Sequence, residues 1–435
     1  MSESAQTSPL ARSSGGLWAA AARYGVWIVF AALLLTLPKI LTSGFSLTML
    51  SLMGISIIFA LSYNMLLGQT GMLSFGHAVY YGLGGFLVVH AVNLFARNSF
   101  PVPLPLMPLI GGLAGLFFGI VFGSVSTRRG GTAFAMISLG LSELVASSAL
   151  ILRSFFGGEE GINTNRTKLL RVFDWSFGPQ IQVYYLIAFW CFICVLAMYA
   201  LTRTPFGRMC NAVRDNFERA EFVGYNPQFV RFVAFCLSGF FAGIAGGLAA
   251  INFEIVNSSY VGAAQSGEVL LAAYIGGIGF FSGPIIGAMI VTWLQVMLSD
   301  ITEVWQLYFG LLFVGMVMFA PFGVAGLLMM HAPLWHARVL WRVVPAYLMA
   351  FAAGLVLLTG VSLFIEMAYH LSTKASEGPM MSFLYVPFSA HAWQPWLAAA
   401  VLVAGGYFLL RWSSPHVEAA WHDALTKARE HGSAA

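Results

Sequence analysis

Charged residues are scarce in this chain, and their scarcity decides its broad class. Only 9% of the 435 residues are charged, whereas 59% are apolar and the mean hydropathy is +0.81. Soluble domains carry roughly 25% charged residues. The composition therefore excludes a soluble globular protein and predicts an all-α polytopic membrane protein.

The chain also lacks the motifs of nucleotide sites and of common catalytic sites. None of its four lysines follows a glycine, so a Gly-Lys-Ser/Thr phosphate loop is absent. It has no HExxH, no GxSxG and no zinc-type spacing of Cys and His. Four cysteines do not make a disulfide framework, and Cys191 and Cys194 lie in an apolar span where thiols act as small hydrophobes. We expect no metal and no cofactor in this chain, and an enzyme is the weakest functional hypothesis.

Long apolar stretches predict ten helices that cross a bilayer. They lie near 25–42, 46–67, 76–96, 104–125, 132–152, 181–202, 231–251, 304–320, 343–365 and 395–411. A further stretch, 268–298, is interrupted by Gly276, Gly277, Gly279, Gly283 and Pro284. One continuous helix is disfavoured there, so we predict two short helices joined by a turn that is buried or faces water. The total is then about twelve membrane passes.

The distribution of arginine and lysine predicts the orientation. If residues 202–231 are cytoplasmic, 14 of the 21 Lys and Arg residues fall inside and the other seven outside. This excess agrees with the positive-inside rule. Both termini are then cytoplasmic, including a polar tail at 1–23. The apolar stretch after this tail lacks a convincing cleavage site, which predicts a retained anchor.

The segment 202–231 is a charged island between two apolar spans. It opens with a Pro-Phe-Gly turn and stops at Gly224, so it predicts one short capped helix on the cytoplasmic face. Apolar residues recur at spacings of 4, 4, 3 and 3 and form one stripe: Met209, Val213, Phe217, Ala220 and Val223. Such a helix suits either the groove of a soluble partner or the lipid headgroups, and the spacing leaves both open.

Glycines punctuate a second region, Leu66–Phe86, within an otherwise apolar sequence. Clustered glycine allows an unwound segment or very close helix packing. Polar residues there are candidates to line a path near the midplane: Gln69, Thr70, Ser74 and His77. Gly276 and Gly277 are candidates in the other broken stretch. Tight packing without solute contact is the alternative, and a lone histidine is commonly a packing residue.

Glu143 is the one acidic residue predicted well inside a span. Five others fall near predicted ends: Glu254, Glu268, Asp300, Glu303 and Glu366. Glu143 is a candidate for the path, with a hydrogen bond between helices as the alternative. A proton- or sodium-coupled carrier needs several buried ionisable groups. With one candidate, the energy is expected to come from a separate ATPase.

Five motifs in this order resemble those of the inner-membrane permeases of branched-chain amino acid ABC transporters, specifically the M-type subunit of the paired permeases. They are NMLLGQTGMLSFGHAVYYGLGGF (64–86), GGEEGI (157–162), NAVRDNFERAEFVGYNPQFVRFVAFCLSGFFAGIAGGL (211–248), GGIGFFSGPIIGA (276–288) and APFGVAGL (320–327). The resemblance covers about residues 45–330. It is specific for the family and not for a solute.

The resemblance implies an importer built from several chains. It implies two cytoplasmic ABC ATPase subunits that bind ATP, a second homologous permease, and a periplasmic or lipid-anchored substrate-binding protein, all at a bacterial inner membrane. Leucine-like amino acids are the family default, and similar permeases carry amides, urea and organic acids. Alternating access would move the solute into the cytoplasm.

By the same resemblance, 202–231 is the coupling loop that docks on the ATPase. The family's Glu-Ala-Ala to Gly pattern falls on Glu218, Ala220, Glu221 and Gly224, where Glu221 replaces a usual small residue. The candidate coupling residues are Arg208, Met209, Val213, Arg214, Phe217, Glu218, Ala220, Glu221 and Gly224. The outer loop Arg153–Gln180 is expected to contact the binding protein through Glu159 and Glu160.

Residues 335–435 are not explained by the resemblance. They add two apolar spans and a polar tail to a permease domain predicted at 24–330. We expect an appended helix hairpin that packs against the bundle or lipid. The main alternative function is a stand-alone ion-coupled secondary transporter, which would work without an ATPase. A scaffold subunit would instead tolerate substitutions in the path.

Overall fold

The computed structural model describes residues 15–98, 100–170, 175–374, 378–383 and 386–433. The described chain groups into two compact units. The first contains 1–297 and 316–324, and the second contains 298–315 and 325–435. The boundary predicted between 330 and 335 therefore lies within the second unit. Arg12 and Arg171, counted in the charge distribution, lie outside the described residues.

Sixteen α-helices make up most of the described chain, as the composition predicts. In chain order they are α1 Gly15–Ile40, α2 Gly44–Thr70, α3 Ala78–Arg97, α4 Met107–Ser126, α5 Thr132–Ile151, α6 Arg153–Phe156, α7 Gln180–Arg203, α8 Pro205–Asp215, α9 Phe217–Phe222, α10 Pro227–Phe253, α11 Ala263–Gly276, α12 Gly283–Ile301, α13 Trp305–Phe319, α14 Gly323–His336, α15 Val344–Thr373 and α16 Trp393–Ser433. Because α1 begins at Gly15, the last part of the predicted 1–23 tail is helical.

Four short 3-10 helices and two small antiparallel strand pairs complete the secondary structure of the described residues. Strand β1 (Ile162–Asn163) pairs with β2 (Ile255–Val256) in the first unit. Strand β3 (Met380–Phe383) pairs with β4 (Val386–Ser389) in the second. Neither pair closes into a barrel, so the fold is all-α and polytopic.

The helices long and apolar enough to cross a bilayer number nine in the described residues, or up to ten if the bent pair α13 and α14 counts as one span. Each of the ten predicted apolar stretches coincides with a helix. The stretch 268–298 does contain a break, between α11 and α12. The count of about twelve passes and the cytoplasmic side of both termini remain predictions.

Glycine lets three helices of the first unit touch through their backbones. A Cβ added at Gly243 of α10 would lie 2.1 Å from the Gly111 carbonyl oxygen of α4. One added at Gly84 of α3 would lie 2.6 Å from the Cα of Gly243. Small residues permit this close approach, which strengthens dispersion contacts between membrane helices. The core of this unit therefore lies along α10.

The second unit contains a long hairpin of α15 and α16. Its buried apolar residues form two clusters, one around Leu334, Val343 and Ala424 and one around Leu363, Met367 and Ala399. Glu366 of α15 accepts hydrogen bonds from Thr302 Oγ1 at 2.6 Å and Tyr308 Oη at 3.1 Å. The second unit thus contains two helices, α15 and α16, where an appended helix hairpin was expected.

Candidate translocation and coupling site

Helix α2 ends in the glycine-rich region that the sequence singles out. Gly71 adopts a left-handed conformation with φ of 70°, and its N–H bonds to the Leu67 carbonyl at 3.1 Å. Residues 71–77 are non-helical, and α3 starts at Ala78. Gln69 and Thr70 occupy the last turn of α2, Ser74 lies in the unwound segment, and His77 immediately precedes α3. The predicted break is confirmed in position.

His77 is held among packed side chains. Its Nε2 lies 2.9 Å from Ser62 Oγ, which donates its own hydrogen to the Phe59 carbonyl at 2.7 Å. The ring nitrogen must then be the donor to Ser62, since the hydroxyl hydrogen is already used. Nδ1 has no hydrogen-bond partner among the described residues. With Phe59 stacked at 5.5 Å, this geometry favours the packing interpretation of His77.

The other broken stretch forms a tight turn between α11 and α12. Gly277 has φ of 109°, and a Cβ there would lie 2.3 Å from the Phe322 carbonyl oxygen. A Cβ at Gly276 would lie 1.9 Å from the Gly283 carbonyl oxygen. With 14 residues, α11 is about 21 Å long, too short to cross a core of roughly 30 Å. The break and the short α11 are as predicted, but α12, with 19 residues, is long and apolar enough to cross the bilayer, so the prediction of two short helices is wrong for α12. The turn is buried at Gly276 and Gly277 and exposed at Gly279 and Ser282.

The segment 202–231 departs from its prediction. One helix through 205–224 is wrong, because Asn216 takes an extended conformation and divides it into α8 and α9. The Asn216 side chain accepts the Arg219 N–H at 2.9 Å and caps α9. Asn at this position favours a cap over helix continuation. Gly224 has φ of 93°, which suits the predicted stop.

The predicted apolar stripe is consequently divided between two environments. Val213 and Ala220 are buried with Cys210 against Val230 and Ala234 of α10, and Met209 packs beside them. Phe217 is 50% exposed and Val223 71% exposed. Phe222, absent from the stripe, is 90% exposed. The prediction of one continuous stripe is therefore wrong, and the free apolar surface belongs to α9 and the turn after it.

Exposed apolar side chains gather at this turn into what we call the 217–229 patch. It consists of Phe217, Phe222, Val223, Tyr225 and Phe229. Three charged candidates of the same segment are also exposed, Arg208, Glu218 and Glu221, as is Gly224. The sequence missed Phe222 because a continuous helical spacing directs it away from the stripe.

Arg214 connects α8 to the end of α2. Its Nη1 donates to the Gly68 carbonyl, and its side chain also pairs with Asp215 at 3.0 Å. A Cβ at Gly68 would lie 2.6 Å from the Ile278 carbonyl oxygen in the turn between α11 and α12. Gly68 therefore contacts both α8 and the turn between α11 and α12. Spacing in the sequence alone does not reveal that these three segments meet.

Glu143 and Glu268 have surroundings that differ from the predicted ones. Glu143 lies on an exposed face of α5 and makes no hydrogen bond or ion pair with a described residue, so a bond between helices of this chain is wrong. Glu268, predicted near a span end, lies in the second turn of the half-length α11. Its carboxylate accepts from Gln265 and Gln295, each at 3.2 Å. Gln265 lies one turn away on the same helix, and this spacing of three residues could have indicated the hydrogen bond from the sequence.

In the loop Arg153–Gln180, the side chain of Arg166 bonds to carbonyls from separate segments. Arg166 donates to the carbonyls of Phe177 at 2.8 Å, Gly178 at 3.0 Å and Asn252 at 3.0 Å. Glu254 lies 4.0 Å away, and partial burial lowers the pKa of Arg166 despite this carboxylate. Glu159 and Glu160 lie earlier in the same loop and are exposed.

Fold and site together define a polytopic membrane protein with discontinuous helices and a pair of short helices, α8 and α9, between two long apolar helices. The family model "Branched-chain amino acid transport system / permease component" matches residues 45–322. The chain belongs to this family, whose members are transport proteins and not enzymes.

Several relatives support the assignment. The chain is similar to the high-affinity branched-chain amino acid transport system permease protein LivM of Escherichia coli K12, with 27% identity over 300 residues, covering 64% of this chain and 69% of LivM. It is 24% identical over 286 residues to BraD of Pseudomonas aeruginosa, covering 62% and 91%. LivH of Salmonella typhimurium is 24% identical over 257 residues, covering 54% and 78%. No solved structure matches.

Proposed function

We propose that this chain is the permease subunit of an ABC importer and moves a small polar solute into the cytoplasm. Branched-chain amino acids are the leading solute class because LivM, BraD and LivH are named for them. Related amino acids, amides and organic acids share the required size and polarity. The observation that carries the proposal is the bond from Arg214 of α8 to Gly68, where α2 meets the 277–282 turn.

ATPase subunits supply the energy in this proposal. The chain has no phosphate loop, so ATP binds to separate cytoplasmic partners. The 217–229 patch suits a groove on such a partner, because it is apolar, exposed and bordered by charged residues. A movement of α8 would then reach Gly68 and the two glycine-broken segments, among which Gln69, Thr70, Ser74, Gly276 and Gly277 remain path candidates.

A second permease chain completes the pathway. Glu143 supports this, since a carboxylate in the middle of a membrane helix requires water or a polar partner. The α5 face that carries Glu143 would contact the second permease or the path between the two. The outer loop would receive the binding protein at Glu159 and Glu160, with the assembly in a bacterial inner membrane. Reversing both carboxylates to Lys should weaken stimulation of the ATPase by the loaded binding protein and leave basal hydrolysis intact.

Aspartate substitutions in the patch test the ATPase interface. Phe222→Asp and Phe217→Asp should insert normally, release the ATPase from the purified complex and abolish ATP-driven uptake. Buried aromatic anchors contribute on the order of 2 kcal/mol or more, and a desolvated charge is worse than truncation. Phe100→Asp is a matched control, because Phe100 is 55% exposed and precedes α4 rather than α8.

The stand-alone secondary transporter predicts the opposite result. Both variants would then retain uptake, and uptake would require an ion gradient instead of ATP. A helix lying on headgroups would also tolerate the change. Parental uptake with a full complement of bound partners in Phe222→Asp would remove the coupling assignment.

A further inference from the structure

Glu268 has an environment that the proposed coupling mechanism does not use. Gln265 Nε2 donates to one carboxylate oxygen and Gln295 Nε2 donates to the other, each at 3.2 Å. A carboxylate has about four acceptor positions, so two remain open. The two amides orient the carboxylate without neutralising it.

No cation of this chain balances that charge in the described residues. Each of their ion pairs involves other acids, and no Lys, Arg or His pairs with Glu268. Described residues likewise form no group of three or more metal ligands. A carboxylate inside a membrane protein that lacks a fixed partner is costly, and such residues mark ion or solute pathways.

A small cavity opens beside this carboxylate. Its volume is about 30 Å³, and it is lined from three helices, with Ser56 and Phe59 on α2, Gln265 and Glu268 on α11, and Thr292 and Gln295 on α12. The space fits one water-sized group and excludes a whole amino acid. The lining thus offers two hydroxyls and two amides beside the carboxylate, and Val269, Ala272, Ala288 and Val291 supply apolar walls.

Glu268 also lies near the start of a helix that is too short to cross the bilayer. It is eight residues from Gly276, or about 12 Å along α11 from the turn that contacts Gly68. The Ser266 hydroxyl accepts the Ala78 N–H at 3.0 Å, so α11 and α3 both begin at this level of the bundle. Discontinuous helices that begin inside the bundle surround the solute sites of many transporters.

We propose that Glu268, oriented by Gln265 and Gln295, binds the protonated amine of the solute during its passage. This inference rests on the proposed permease function and narrows the solute class to molecules with an ammonium group. Amino acids fulfil that requirement, whereas urea and dicarboxylic acids do not.

The test uses the complete complex in liposomes, with ATP inside and labelled leucine, urea or succinate outside together with the binding protein. Wild type should take up leucine in an ATP-dependent manner. Glu268→Gln should lower leucine uptake at least tenfold while assembly and basal ATP hydrolysis stay unchanged. Glutamine preserves the shape, keeps one acceptor oxygen and removes the charge, and a neighbouring amide can turn its own oxygen toward the new NH2 group, so a purely structural role predicts little change.

A charge relocation sharpens the test. In the double variant E268Q/Q295E the carboxylate returns to the same cavity from the other helix, and uptake should recover at least threefold over Glu268→Gln. Glu366→Gln is the matched control, because Glu366 also accepts bonds from two neutral donors and lies in the second unit. It should transport like the wild type.

Three outcomes overturn the proposal. Normal leucine uptake by Glu268→Gln removes the ammonium site and leaves the permease function standing. Wild-type uptake of urea or succinate without any uptake of leucine does the same. Failure of the double variant to recover assigns Glu268 a role that depends on its position and not on its charge. ATP-independent uptake in the wild type would instead refute the proposed function itself.

Discussion

Helices α10 and α15 have similar lengths and very different surroundings. In α10, 78% of the most apolar 18-residue stretch is buried inside the protein. In α15 the corresponding share is 17%, although its mean hydropathy is higher, 2.4 compared with 1.9. Lipid is as apolar as a protein interior, so hydropathy alone does not determine which helix is central. Glycine does, because α10 carries Gly239, Gly243, Gly246 and Gly247 on faces that touch other backbones.

The largest expected effect comes from filling that close contact. Gly243→Leu places a side chain where a Cβ would already lie 2.1 Å from the Gly111 carbonyl oxygen. The destabilisation should exceed the roughly 1–3 kcal/mol of ordinary overpacking, because backbone cannot move aside. Size-exclusion chromatography of the detergent-extracted protein should show loss of the monodisperse species.

Gly354→Leu on α15 is the matched control. A Cβ there meets nothing within 4 Å. Its effect on thermal stability should stay below about 0.5 kcal/mol, as for other substitutions into open space. Equal damage from both variants would contradict the distinction between the two helices.

A smaller effect is expected from deleting residues 335–435. The apolar clusters of this region are made from its own residues and their immediate neighbour Leu334. Retention of the ATPase and uptake should remain within about threefold of the full chain, since surface additions contribute little to a separate core. Uptake measured in cells at matched expression would test this, and complete loss would give the hairpin a role in transport.

A further contrast compares two positions in the segment 202–231. Burial against α10 raises the pKa of the Cys210 thiol to about 12, so the reactive thiolate is scarce near pH 7.5. In the variant Phe222→Cys without partners, maleimide should modify residue 222 at least about 100-fold faster than Cys210. Mass spectrometry of both positions in one sample gives the ratio. Comparable rates would mean that α8 does not pack as described.

Most of the helices and both glycine breaks follow from the sequence, because length, hydropathy and glycine are local properties. The division at Asn216 was missed because an apolar spacing of three and four residues also continues across a capped break. Glu268 was placed at the end of an apolar stretch because the residues before it are small or polar, whereas α11 begins five residues earlier, at Ala263. The Arg214–Gly68 bond joins residues 146 positions apart and depends on the folded bundle.

The most direct test of the account is Arg214→Ala in the purified complex. Arg214 is a positioning residue that ties α8 to Gly68, whereas its pair with Asp215 lies at the exposed surface. We predict that Arg214→Ala keeps its ATPase subunits and its ATP hydrolysis but loses at least 90% of uptake, while Asp215→Ala transports normally. Parental uptake by Arg214→Ala, measured beside unchanged hydrolysis, would contradict transmission of movement from α8 to the broken end of α2.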